Sequence, residues 1–237
     1  MSLPFDDPSV GALDAATRSA VAAHWRHRAR AELEVGRAFE AMGTRLVGRA
    51  SALVLEMLAR SAEEEVRHSA ICVRLAETYA GAPVAAPRVD KVRLPSFGFE
   101  AEPELEDALL VAGMCCVNET IATAWLGACL DAATAPLAIA ANKIHLTDEI
   151  DHARLGWAHV AALSARSKVK LGDLLASLVA ANVPSWERAD PDLPLEGVES
   201  HGLLGALRTR TVVREAVRDL VLPGFAHVGV KATRIAI

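Results

Sequence analysis

Glu65-Val66-Arg67-His68 and Glu149-Ile150-Asp151-His152 are two copies of Glu-x-x-His, each set in a stretch with helical periodicity. Three residues make about one helical turn, so in each copy the carboxylate and the imidazole leave the same face and aim at one point. Two such pairs, joined by one inward Glu from each of two further helices, make up the ligand set of a dinuclear metal site in a four-helix bundle. What surrounds the two strings therefore decides the fold.

Working outward, the first helix is expected from Asp14 to Met42, with Gly43 as its stop. Trp25, Val35, Phe39 and Met42 form its apolar stripe; Glu32 shares that stripe, whereas Glu34 lies about 200° further round and faces water. A second helix, Val47 to Tyr79, carries Met57, Ser61, Glu65, His68, Cys72 and Leu75 on one face. Gly81, Pro83, Pro87 and Pro95 then impose a non-helical crossing of about twenty residues, as in bundles with one long crossover.

The third helix is expected from Pro103 to Ala133, with Glu104, Glu106 and Asp107 at its positive end and Cys115, Glu119, Thr123 and Leu126 in its inward row. Pro136 breaks the chain before a fourth helix, which ends near Ser164 and carries His145, Glu149, His152, Gly156 and Val160 on one face. The fold class is thus all-α: an antiparallel four-helix bundle with one long crossover over residues 1–166, and a helical extension over 167–237. The extension reads as a helix from Leu171 to Asn182, a loop through Pro184, Pro191 and Pro194, and an amphipathic helix from Leu203 to Leu222. Covering the bundle, closing a substrate pocket and making a homodimer contact are all open to it.

Composition agrees. Of 237 residues 52% are hydrophobic but only 4% aromatic, and the excess is largely Ala, which favours closely packed helices. No apolar run approaches the roughly 20 residues of a membrane span. The segment Met1 to Val10 is acidic and interrupted by proline, unlike a signal peptide, so a cytoplasmic location is expected. Net charge is −5, and no basic stripe with interleaved aromatics marks a nucleic-acid surface. Arg26, Arg28 and Arg30 alternate around their helix and read as a solvated face. Cys72, Cys115, Cys116 and Cys129 contain no CxxC pair and read as small buried apolar residues.

In each hairpin a lone Glu precedes the paired motif by a similar distance, Glu32 to Glu65 and Glu119 to Glu149, so antiparallel helices bring all four to one level. With no inward Lys or Arg in this reading, the carboxylates would be uncompensated buried charges, each costing several kcal/mol, and two divalent cations remove that cost. Oxygen-rich coordination with one imidazole per metal suits iron or manganese better than zinc. His145 stands one turn before Glu149 and can offer a third imidazole to one metal. Thr123, one turn after Glu119, is the candidate proton relay, against the common alternative of a bond to its own backbone. Glu64 and Asp148 can accept the outer ring N–H of the His on the opposite hairpin, while Glu63 and Asp151 read as surface.

On Glu32, Glu65, His68, Glu119, Glu149 and His152, residues 14–165 resemble the ferritin-like carboxylate di-iron superfamily. That resemblance implies an O2-reactive di-iron centre, as in bacterioferritins, rubrerythrins, desaturases, ribonucleotide reductase small subunits and bacterial oxygenases. The string from His145 through Glu149 to His152 is similar to that of the arylamine N-oxygenases, whose extra His binds iron and which oxidise amino groups toward nitro groups. Glu64-Glu65-Val66-Arg67-His68 resembles the acid-Glu-x-Arg-His motif of di-iron oxygenases, while the second copy has Asp151 where Arg is usual. The segment His201 to His227 resembles the tail of bacterial ferritin-like proteins.

The expected function is a non-haem di-iron oxidase or oxygenase acting with O2 on a small organic substrate, an amine among the candidates. Manganese or mixed metallation is compatible. Electrons would come from an external donor, since no flavin or nicotinamide motif is present. The alternative is iron handling, as a ferroxidase, storage or peroxide-scavenging protein; the long tail after Ser164 and the missing cysteine iron site count against it. A metal-free helical scaffold is the third class.

Overall fold

Asp14 opens the first long helix because its carboxylate accepts hydrogen bonds from the amides of Ala16 and Thr17, two donors that have no partner inside the helix. In the computed structural model, which describes residues 3–99, 102–188 and 198–232, every regular element is helical. A short turn of helix, α1 (Pro8–Gly11), precedes α2 (Ala15–Leu46). Gly43 does not stop α2. It lies inside the helix against Leu58, and the chain turns only at Gly48, which has a φ of 75°. The next helix, α3 (Ala52–Ala80), consequently starts five residues later than Val47; Ser51 caps it, and Gly81 ends it in the left-handed conformation.

The crossover through residues 82–99 is non-helical, as its prolines require. Buried Glu106 fastens it to the next helix by accepting the amides of Phe97 at 2.7 Å and Phe99 at 3.0 Å. One continuous rod then runs through α4 (Pro103–Val111), a π-helical segment (Ala112–Glu119) and α5 (Thr120–Ala132). By length and composition this rod, Pro103–Ala132, could span a bilayer, contrary to the reading that no stretch comes near it. Of its most apolar window 78% is buried within the molecule, as in a core helix. Helix α6 (Pro136–Ala161) completes the second hairpin.

Beyond Ser164, which caps it, α7 (Ala165–Glu187) is longer at both ends than expected and carries Pro184 inside the helix rather than in a loop. Pro191 and Pro194 lie outside the described residues. The last helical stretch starts at Ala206 and comprises α8 (Ala206–Ala216), a π turn (Val217–Val221) and α9 (Leu222–His227).

Packing joins these parts. Helices α2 and α3 form the most extensive interface among the described residues, and a Cβ added at Gly36 would come within 3.0 Å of the Cβ of Glu65. Leu171, Leu175, Val213, Val217 and Phe225 of the tail share one apolar cluster with Leu105, Leu109, Val117 and Ile121 of the rod. The tail therefore covers the rod rather than building a core of its own.

At one end of the molecule the Tyr79 hydroxyl pairs with His201 Nδ1 at 2.8 Å, while Asp7 accepts the amide of Leu137 at 2.9 Å. Burial pushes His201 below the usual histidine range, with Asp7 opposing, and burial does the same to His159 against Asp107 and Glu104. A histidine whose folded pKa is depressed favours the unfolded chain once pH falls below the unfolded value of about 6.5. Between about pH 7.5 and about pH 5.5 the metal-free chain is therefore expected to lose less melting temperature as His201→Gln than as the parent. Equal losses in the two proteins would contradict the assignment.

Candidate metal centre

Glu32 reaches the interior from α2, Glu65 and His68 from α3, Glu119 from the last residue of the π segment, and His145, Glu149 and His152 from α6. All seven are buried. Two four-residue groups bring their donor atoms within 4.8 Å of one another: Glu32, Glu65, His68 and Glu149 in one, Glu65, Glu119, Glu149 and His152 in the other. Glu65 and Glu149 belong to both.

The arrangement is close to twofold symmetric. His68 Nδ1 stands 3.5 Å from Glu65 and 3.5 Å from Glu149, and His152 Nδ1 stands 3.1 Å from Glu65 and 2.9 Å from Glu149. Both Nδ1 atoms therefore face the shared carboxylates, and both Nε2 atoms face outward. His68 Nε2 meets Asp148 at 2.9 Å and His152 Nε2 meets Glu64 at 3.0 Å, each across to the opposite hairpin as expected. These acids are held in turn: Arg67 pairs with Asp148 at 2.6 Å, and Arg60 lies 3.6 Å from Glu64. Arg60 also binds Asp151 at 2.7 Å, so the network survives the absence of a second Glu-x-Arg-His motif by borrowing an arginine from α3. Exposed Glu63 takes no part.

The charges are unsettled without cations. Burial raises the Glu119 carboxyl well above its ordinary value, reinforced by Glu149 and Glu65. Burial likewise lifts Glu32 to about 7 against the pull of Arg28. Burial opposes charge on His152, but the Glu149 and Glu65 carboxylates facing its Nδ1 outweigh it and raise the ring to about 11. His68 is raised in the same way, against burial, by Asp148, Glu149 and Glu65. Glu149 falls well below the carboxylate range because His152 and His68 overcome its burial. Both oxygens of Glu65 and the Nδ1 of His68 are buried without a hydrogen bond, their mutual contacts being off axis. Buried polar atoms in this condition are rare unless an ion or water completes them.

His145 is also fully buried, with its ring edge-on to His68 at 4.4 Å between centroids. Its Nε2 is 4.0 Å from Cys72 Sγ, and its Nδ1 has no partner. It groups with Glu32 and Cys72 rather than with either four-residue set. Thr123 donates its hydroxyl to the Glu119 carbonyl at 2.8 Å, the local bond weighed against a relay role, and it is not among the residues lining the cavity.

The sequence reading missed several participants. Arg28 is not on a solvated face: its side chain is 11% exposed, its Nε donates to Glu32 at 2.8 Å, and its guanidinium lies between Trp25 and Trp125, 5.3 and 5.2 Å from the rings. An inward arginine therefore does exist, one turn before Glu32, and the i,i+4 spacing was its visible signal. Phe39 closes the other side with its ring 5.3 Å from that of His152. Beside the carboxylates opens a cavity of about 570 Å³, onto which Glu32, Glu65, Glu119 and Glu149 all face. Its remaining walls include Val35, Met114, Ala122 and Leu126, and from the tail Trp186 and Leu204.

No protein-family model matches this chain, and comparison with curated proteins finds no match.

Proposed function

We propose that the chain is a ferritin-like dinuclear metalloprotein, with Glu32, Glu65, His68, Glu119, Glu149 and His152 as ligands and His145 as an added imidazole beside Glu32. The observation that carries this reading is the pair of donor groups sharing Glu65 and Glu149, in which both imidazoles present Nδ1 inward and are held from behind through Nε2. Iron or manganese fits an oxygen-rich set with few imidazoles. Two such ions, when bound, supply O2 reduction by electron transfer.

The chain's own residues define the rest. Asp148 and Glu64 hold the outer ring protons, which fixes the tautomer that leaves Nδ1 free for a metal. Phe39 packs beside His152, and apolar side chains make up much of the cavity wall next to the carboxylates. The adjoining cavity has the size of small-molecule sites, and this favours an oxidase or oxygenase with a small organic substrate over iron storage. Electrons come from an external reductant in this reading.

Asp148→Ala is expected to weaken metal binding about 10- to 100-fold while sparing the helical circular dichroism, as measured by competition with a chromophoric chelator. Unchanged affinity would argue that Asp148 does not orient His68. For the activity, the iron-loaded protein with a chemical reductant is expected to consume O2 faster when small amines or acids are supplied. Particles of cage size in light scattering, carrying many irons per chain, would instead favour iron handling.

A further inference from the structure

The cavity holds a charge that the proposed metals leave unbalanced. In the metal-free site Glu32 compensates Arg28 through the 2.8 Å contact to Nε. Two divalent cations carry as much positive charge as Glu32, Glu65, Glu119 and Glu149 carry negative, so loading the site consumes the counter-charge of Arg28. Asp148 and Glu64 are already answered by Arg67 and Arg60. The acids at the cavity's edge are engaged elsewhere, Glu34 with Arg30 and Glu187 with Arg214. Arg188 borders the cavity but is exposed, whereas the guanidinium of Arg28 is enclosed by two indoles. A buried charge without a partner is strongly disfavoured, and an anion from solution is the available remedy.

The donors agree with the charge. Of the five N–H groups of a guanidinium, the only hydrogen bond found among the described residues is the one from Nε to Glu32, and Nη1 is buried without a partner. Arginine's planar fork suits a carboxylate, and one surplus positive charge suits a monoanion rather than a doubly charged phosphate ester. The rest of the lining is largely apolar, with Val35, Ala122, Leu126 and Trp186.

We propose that Arg28 anchors the substrate and that the cavity takes a monocarboxylic acid with an apolar body, its carboxylate paired with Arg28 and its body lying along the metal-facing carboxylates. This rests on the metal reading, because the uncompensated charge arises only when the site is loaded. It names the acid end of the substrate and leaves the oxidised end to the metals.

The test uses benzoate and its neutral counterpart benzamide, titrated into the metal-loaded full chain and followed by tryptophan fluorescence, since Trp25 and Trp125 flank the guanidinium. Benzoate is expected to bind at least tenfold more tightly than benzamide. Arg28→Met should abolish that preference, and Arg28→Lys should restore part of it. Equal binding of the two probes, or no binding of either at millimolar concentration, overturns the proposal. So does a preference that survives Arg28→Met, which would put the carboxylate on the metals. If Arg28→Met does not fold, the parent and Arg28→Lys titrations decide alone, with an undiminished preference in Arg28→Lys counting against the fork. Metal analysis of the same samples separates the two ideas. Two ions per chain without a benzoate preference removes the anchor only, whereas fewer than half an ion per chain removes the metal reading, and a benzoate preference in such metal-poor samples also overturns the charge argument for Arg28.

Discussion

Glu65→Gln is expected to lose both metal ions together, because Glu65 is one of the two carboxylates common to both donor groups. Its amide keeps the volume of the side chain but offers no negative charge to either cation. The parent chain should gain about 2.7 kcal/mol of stability from each site at free metal a hundredfold above its Kd, and the variant should gain nothing. Without metal the two chains should differ much less, because Glu65 both adds to the repulsion that raises Glu119 and Glu32 and attracts the rings of His68 and His152. Elemental analysis together with melting curves taken with and without metal reads both effects, and retention of two ions per chain would contradict the shared role of Glu65.

Gly156→Ala should be strongly destabilising, because the added methyl has no room between α6 and the π segment. A Cβ at Gly156 would come within 2.5 Å of the Cys115 Cβ, 2.9 Å of the Cys116 Sγ and 3.0 Å of the Cys115 carbonyl carbon. Two of these atoms belong to or adjoin backbone, so α6 and the π segment must separate. Overpacking of this kind costs about 3 kcal/mol, the upper part of the usual range. Separation would also move Glu119, four residues along the π segment from Cys115, away from Glu149, so metal affinity should fall with stability. Gly127→Ala is the control: nothing lies within 4 Å of its added Cβ, and a helix interior gains up to about 1 kcal/mol from alanine over glycine. Urea unfolding of the metal-free chains measures both. A loss below about 1 kcal/mol at Gly156 would mean that the contact relaxes freely.

Much of the fold was legible because each signal was local and physical. Asp14 caps α2, Gly81 ends α3 in the left-handed conformation, and Pro103 and Pro136 open their helices. Gly43 misled because glycine ends a helix only when the chain beyond it leaves, and here Met42 and Leu46 are both buried and draw the helix onward. Pro184 misled in the opposite sense, since α7 carries it within its last turns.

The inward rows of α2, α3 and α6 followed from a period of 3.6, and they brought Glu32, Glu65, His68, Glu149 and His152 together. The rod did not follow that period throughout, because its π segment, which ends at Glu119, shifts the phase of the residues before Glu119 against those after it. Beyond Glu119 the expected row is met by Leu126 but not by Thr123, and Ala122 and Trp125 share the cavity wall with Leu126. No residue pattern announced that segment. Arg28 was missed for a different reason. A run of alternating arginines was read as a unit, although a helix sorts its members by phase, and only the one at i−4 from Glu32 turns inward, where two indoles receive it.

The central claim is that two metal ions lie between Glu65 and Glu149. Anomalous diffraction at the iron edge, from crystals of protein expressed with ample iron, tests it most directly. Two peaks are predicted, one beside His68 and Glu32 and the other beside His152 and Glu119, with Glu65 and Glu149 between them. A single peak, or none with the six side chains paired among themselves and with Arg28, would contradict it.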